Sequence, residues 1–301
     1  MRGKTLLLYS ICCAIWGSTW LVIKLGLPDL PPFRFAGMRM GSACLVLTVF
    51  AFRGGRRPNA SEIRAIALAG FLQIGVSYAL VFAAERTIDS GMTAVLFASF
   101  PIWISLFAHA LLPDEPLRPA VAVAAVVGLA GVVLLELPAV ETALGGGRFP
   151  VAALLPLGAS IASAFANVWM KRRLARVPPR VNLWGQTLVG SAFLFALSFV
   201  FETGVRSRWT ARSAGALVYL SLFGTVIAFL ALFRLIPRVP MATIGAIPLI
   251  DTLVAVTLGA LVLGERVGGR FFAGGAMILT GAALATPGIF GRRAVRESAV
   301  S

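Results

Sequence analysis

Asp251 is the only charged residue in the apolar stretch 240–264, and it stands midway along it. An acid at that depth in a hydrocarbon core is costly, so it faces a cavity or a partner. A carboxyl so placed binds a substrate amine or carries a proton; the plainer alternative is one helix–helix hydrogen bond, which is worth little. Trp16, Trp20 and Lys24 recur at steps of four and share one helix face. Trp16 lies too deep for an interfacial belt, so it walls a cavity or packs at an interface. Lys24 either offers a cation to a substrate carboxylate or, as its place at the end of the stretch favours, snorkels to the outer headgroups while Trp20 joins an aromatic belt. Arg39 is a full charge inside 35–52 and needs an acidic or carbonyl partner, which points to a structural role. Its counterpart in the second half is Gln186.

Further side chains could line a cavity. Tyr78, Phe82 and Glu85 share a face of the third stretch, toward an outer entrance. Ser160, Ser163 and Asn167 form a polar stripe on the sixth, which either glues helices or lines water. Ser99 pairs with Trp103 on the fourth, and Thr225 with Phe229 on the eighth. His109, the only histidine, lacks metal-binding company and is read as structural. Cys12, Cys13 and Cys44 read as small buried hydrophobes. No metal, cofactor or catalytic group is expected.

These residues need an apolar scaffold, and the composition provides one. Of 301 residues, 58% are hydrophobic and 13% charged, with a mean hydropathy of +0.90. Both a soluble domain and a disordered chain are excluded. Ten charge-poor stretches follow one another: 5–23, 35–52, 65–84, 90–112, 119–135, 149–170, 181–201, 213–233, 240–264 and 271–291. Each is near the roughly 20 residues that cross a bilayer. The expectation is an all-α integral membrane protein with ten transmembrane helices. The net charge of +15 finds no soluble face on which to bind nucleic acid. With both termini inside, 17 of the 27 Lys and Arg face the cytoplasm and nine face out. That split predicts cytoplasmic termini in a multi-pass cell (inner) membrane protein. The cluster Lys171, Arg172, Arg173, Arg176 and Arg180 then meets anionic lipid.

The chain repeats itself. At a step of about 150 residues, Met92-Thr93 falls near Ala242-Thr243, Glu115 on Glu265 and Gly131 on Gly281. Gly145, Gly146 and Gly147 form the link. Five spans per half is an odd number, so the halves are inverted: 1–147 and 148–291, with 292–301 a cytoplasmic tail. Pro101 and Pro248 interrupt corresponding helices. Paired interruptions in inverted repeats mark a transport site near the midplane.

The residues Trp16-Gly17-Ser18-Thr19 with Lys24, then Arg39, Pro101, Glu115-Pro116-Leu117 and Leu263-Gly264-Glu265-Arg266, resemble the EamA-type members of the drug/metabolite transporter superfamily. The resemblance spans nearly the whole chain. It implies two five-helix repeats around a central cavity, and export of a small metabolite or drug. One departure stands out: where relatives place a Pro fourteen residues before the second-repeat Glu, this chain has Asp251.

The expectation is a secondary transporter exporting a small metabolite such as an amino acid by alternating access. Multidrug or amine efflux is the alternative, and a passive channel a more distant one. The expected partners are the small-molecule substrate, membrane lipids and protons; a homodimer is left open. Substrate contacts are assigned to Trp16, Trp20, Tyr78, Phe82, Ser99, Trp103, Asn167, Thr225, Phe229 and Asp251. Proton coupling is assigned to Asp251, and helix kinks to Pro101 and Pro248. There is no GxxxxGK[ST] nucleotide loop, GxSxG or HExxH, so neither ATP-driven pumping nor enzymatic catalysis is expected.

Overall fold

The computed structural model describes residues 2–53, 56–87, 90–135, 137, 140–141, 151–263 and 269–285. Among these the chain is helical, with no strand. The first half runs α1 (Arg2–Gly26), α2 (Pro32–Thr48), α3 (Ala60–Ala84), α4 (Ser90–Phe97), α5 (Phe100–Leu111) and α6 (Pro119–Leu135). The second runs α7 (Leu154–Arg173), α8 (Pro179–Phe201), α9 (Ala211–Arg238), α10 (Met241–Gly245), α11 (Ile247–Leu263) and α12 (Gly269–Ala285). Every charge-poor stretch lands on one of these helices or on the pairs α4–α5 and α10–α11. Six helical segments are long and apolar enough to cross a membrane; α6 and α12 are shorter apolar helices. α2 has only 17 residues, and the last turn of α7 is basic. The Gly145–Gly147 link, Glu265 and the tail 292–301 lie outside the described residues.

Matching positions start the matching helices. α3 opens on a capping box between Asn59 and Glu62, and α9 on one between Thr210 and Ser213. Such boxes satisfy two of the otherwise orphaned N–H groups at a helix start. α2 and α8 open on Pro32 and Pro179, where a missing N–H is harmless. Both α3 and α9 widen into a π-helical turn, at Phe71–Val76 and Leu222–Ile227.

The prolines mark interruptions in their spans. Pro101 and Pro248 each occupy the second position of a new helix, after a break at 98–99 and at Ala246. The helices are discontinuous there, because a proline fits the first turn and cannot continue the preceding one. In both, a hydroxyl four residues on donates back to the proline carbonyl: Ser105 at 2.7 Å and Thr252 at 2.9 Å. The two prolines stand 147 residues apart, and the same step carries Ile104 onto Asp251 and Arg39 onto Gln186.

α2 packs antiparallel on α8, and α6 on α12. Along α2 and α8, Arg34 meets Glu202 at one end and Cys44 meets the Trp184 carbonyl toward the other. Along α6 and α12 the contact is backbone on backbone. A Cβ on Gly131 would lie 2.7 Å from the Gly274 carbonyl, and one on Gly281 would lie 2.7 Å from the Ala124 carbonyl. Gly37 and Gly41 form a groove for the Phe195 ring of α8. The outer surface stays apolar, with Leu45, Phe199, Phe201 and Phe272 exposed. In water that would be a large sticky patch; against lipid tails it is the ordinary solvent-facing surface.

Candidate functional site

One cavity opens among α1, α2, α3, the α4–α5 and α10–α11 breaks, α7 and α9. It offers about 100 Å³ to water and is walled mainly by aromatic and aliphatic side chains. Asp251, in the first turn after the α10–α11 break, lines it at 5% exposure. Trp20 lines the same wall. Oδ1 has no hydrogen-bond partner among the described residues. α1 can approach this point because position 17 is glycine: a Cβ there would fall 2.7 Å from the Asp251 carbonyl.

Arg39 lines the same cavity and is almost wholly buried, at 1% exposure. Its partners are neutral. Nε donates to Thr225 Oγ1 at 3.0 Å, and Nη2 to the Gly224 carbonyl at 3.1 Å and the Tyr78 hydroxyl at 3.4 Å. The guanidinium carbon lies 4.9 Å from the Tyr78 ring centroid, a cation–π distance. The π-helical turn of α9 builds this seat. Its Gly224 carbonyl accepts from both Arg39 and Trp16 Nε1, and a Cβ on Gly224 would come within 3.0 Å of Arg39 Nη2. Arg39 thus has a carbonyl partner, as its charge demands, and it also lines the cavity.

A third polar group is a chain of amides. Asn167 Nδ2 donates to Gln73 Oε1 at 2.8 Å, and Gln73 Nε2 donates to Ser163 Oγ at 3.0 Å. All three residues line the cavity, and Asn167 Oδ1 is left without a partner among the described residues. Buried polar atoms are nearly always satisfied, so orphaned ones on a cavity wall are positions for water or ligand.

The structure gathers Trp16, Trp20, Tyr78, Asn167, Phe229, Pro248 and Asp251 on this wall. Trp16 and Phe229 meet edge to face at 5.3 Å, and Trp20 meets Phe97 the same way at 6.0 Å. Phe82, Ser99, Trp103, Thr225 and Pro101 do not line it. Phe82 is fully buried against Phe35, at 5.6 Å between rings. Ser99 is the hinge residue of the α4–α5 break; it donates to the Leu96 carbonyl and accepts from Trp103 Nε1. Thr225 is spent on Arg39 and on the Leu220 carbonyl. Gln73 escaped the sequence reading because the π-helical turn breaks the 3.6-residue period; its signal was an amide in an apolar span. His109 Nδ1 accepts from Leu117 N, a structural role.

Beyond the cavity, a polar clasp joins three segments. Glu115 pairs with Lys171 at 2.6 Å, and its other oxygen accepts from Met241 N at 2.6 Å. Lys171 also donates to the Val239 carbonyl.

The EamA-like transporter family matches residues 3–137 and 150–286. The uncharacterized inner membrane transporter YedA of Escherichia coli strain K12 is 30% identical over 256 residues, covering 83% of this chain and 80% of that protein. The uncharacterized transporter YoaV of Bacillus subtilis is 26% identical over 275 residues, covering 89% and 91%. A solved crystal structure superposes with a TM-score of 0.78 at 24% identity, covering 95% of this chain and 97% of that one. It speaks for the fold alone.

Proposed function

The chain belongs to the EamA-like transporter family and is a multi-pass membrane protein, and from that premise we propose that it is a secondary carrier exporting a small zwitterionic metabolite such as an amino acid. Ten spans form two inverted repeats, 1–147 and 148–291, with both termini and the tail 292–301 cytoplasmic. Two observations support the inversion. Equivalent helices, α2 with α8 and α6 with α12, pack antiparallel, as a two-fold axis in the membrane plane requires. The two π-helical turns and the two proline breaks fall at matching positions. Alternating access is then a rocking of the halves about the broken helices.

One observation carries the substrate reading. Arg39 and Asp251 line one aromatic cavity and form no ion pair with each other or with any described residue. The repeat does not require them, because their equivalents are Gln186 and Ile104. Buried charges persist where a partner completes them. A zwitterion supplies both partners, a carboxylate for Arg39 and an ammonium for Asp251, while its apolar part meets Trp16, Trp20 and Phe229. An amine without a carboxylate is the second reading; it satisfies Asp251 and the aromatic wall and leaves Arg39 without its anion. Proton coupling fits Asp251, where a proton and a substrate amine compete for one carboxyl.

The test is counterflow by the purified chain in proteoliposomes, across a panel of amino acids, amines and dyes, with and without a pH gradient. Saturable counterflow of amino acids supports the proposal. Counterflow of amines alone selects the second reading, and non-saturable flux in place of counterflow makes the protein a channel.

A further inference from the structure

A second buried acid stands outside the cavity. Glu85 is the first residue beyond α3, is 2% exposed, and neither carboxyl oxygen has a hydrogen-bond partner among the described residues. It lies on the cavity-facing side of its helix, because Tyr78 and Val81, seven and four residues earlier, line the cavity. Its neighbour across the gap is Lys24 of α1, which lies one turn, about 6 Å, beyond the cavity residue Trp20. Lys24 Nζ donates to the backbone carbonyl of Glu85 at 3.5 Å. The ammonium therefore already sits on the residue that carries the carboxyl.

The other charge acting on Glu85 is Arg39 of α2. α7, packed on the same helix, has no charged residue before Lys171, and the π-helical turn and α4 have none. An ionised carboxylate buried without a hydrogen bond is strongly disfavoured, whereas a neutral one is tolerable. Two arrangements follow. In one, Glu85 holds a proton and Lys24 rests on the carbonyl; in the other, the proton has left for the adjoining solution and Lys24 pairs with the carboxylate.

We propose that Glu85 is a proton-binding site of the transport cycle and Lys24 its switchable counter-ion, together forming a gate at the end of the cavity away from the Glu115–Lys171 clasp. The inference rests on the carrier reading and adds a site to it. The pair closes the mouth between α1 and α3 when Glu85 is ionised, and protonation from outside releases it. Asp251 remains the proton site inside the cavity, so the two acids answer to different solutions.

Infrared difference spectroscopy of the full chain in liposomes tests this, in an Asp251→Asn background that removes the other deep acid. Titration from about pH 3 to about pH 10 covers the ordinary carboxyl range, near pH 4, and well above it. A neutral-carboxyl C=O band that persists at pH 7, disappears at higher pH and is missing in Glu85→Gln is the expected result. Lys24→Met, an exposed substitution, is expected to move the midpoint up by about one pH unit, tenfold in proton affinity. A band lost below pH 6, no Glu85-dependent band, or a midpoint indifferent to Lys24→Met overturns the proposal. Counterflow of the amino-acid panel is a separate readout of the carrier reading.

Discussion

Arg39 of α2 reaches across the interior to Thr225 of α9, with Nε 3.0 Å from the threonine hydroxyl, and so ties the first half of the chain to the second at the cavity wall. The bond exists because α9 is wound wide at that point. Thr225 Oγ1 donates to the Leu220 carbonyl five residues back, the reach of a π-helical turn, and its remaining lone pairs face Arg39. A turn inserted in a helix at some local cost is a frequent mark of a working site.

Replacing Arg39 separates anchoring from recognition. Arg39→Lys keeps a charge but loses the planar fork that holds Thr225, Gly224 and Tyr78 together. Thr225 keeps Leu220, and the Gly224 carbonyl keeps Trp16, so neither partner is stranded. The expected destabilisation is about 1.5–3 kcal/mol, the range for hydrogen bonds to a charged group. Counterflow of zwitterions is expected to fall at least tenfold, while flux of simple amines holds. Equal losses for both substrate classes would show that Arg39 only props the fold.

Asp251→Asn removes the ionisable group and keeps its shape. Oδ1 has no partner to lose, so thermal stability in detergent is expected to hold or rise slightly. Transport of amine-bearing substrates is expected to be abolished, along with its dependence on a pH gradient. Unchanged transport with unchanged pH dependence in this mutant would reject the role given to Asp251.

Much of this was legible in the sequence. Charge-free stretches located the helices because hydrocarbon excludes charge at every turn. What the sequence hid was facing. Phe82 has the spacing of a cavity residue but turns onto Phe35, and Thr225 serves Arg39 instead of the cavity. Helical periodicity holds only for regular helices, and Gln73 lies within the π-helical turn at Phe71–Val76, where the 3.6-residue period fails. Register was the other loss. A single step of 150 pairs Pro101 with Asp251, whereas a step of 147 pairs the two helix breaks, Pro101 with Pro248.

The glycine contact between α6 and α12 makes a symmetric prediction. Gly131→Ala and Gly281→Ala each drive a Cβ to within 2.7 Å of backbone on the other helix, where no side chain can rotate away. Each is expected to cost about 1–3 kcal/mol, as overpacking does. Gly215→Ala, which meets nothing within 4 Å, is the control and is expected to be neutral or stabilising. Melting temperatures in detergent report all three; a loss at Gly131 without one at Gly281 would contradict the matched packing.

Asp29, in the loop between α1 and α2, gives a pH dependence outside the spans. Hydrogen bonding from the Thr210 hydroxyl at 2.7 Å, followed by the Arg212 guanidinium, holds its carboxyl below the usual range. A group with a depressed folded pKa contributes stability above its unfolded value, about 3.9, and loses it as pH falls through the folded value. Asp29→Asn is therefore expected to flatten the acid side of the stability curve below about pH 4 and leave the neutral side parallel to wild type. An acid limb as steep in the mutant as in wild type would remove Asp29 from that role.

The clasp at Glu115 predicts a shift between states rather than a loss of fold. Its ion pair with Lys171 and its bond to Met241 N hold the loop after α5, the end of α7 and the start of α10 in one place. In the proposed rocking of the halves these segments move relative to one another, and the clasp then opens once per cycle. Glu115→Gln keeps an oxygen for Met241 N and loses the ion pair; Lys171→Met loses the pair and the bond to Val239. For a part-buried pair worth roughly 1–2 kcal/mol, the open population rises about 5- to 30-fold. A cysteine at Leu232 on the cavity wall, in a chain with Cys12, Cys13 and Cys44 replaced, reads this as faster labelling from the clasp side. The double mutant is expected to label no faster than the stronger single mutant, because both remove one interaction. Fully additive rates would mean that Glu115 and Lys171 act separately and that the clasp does not hold this end of the cavity shut.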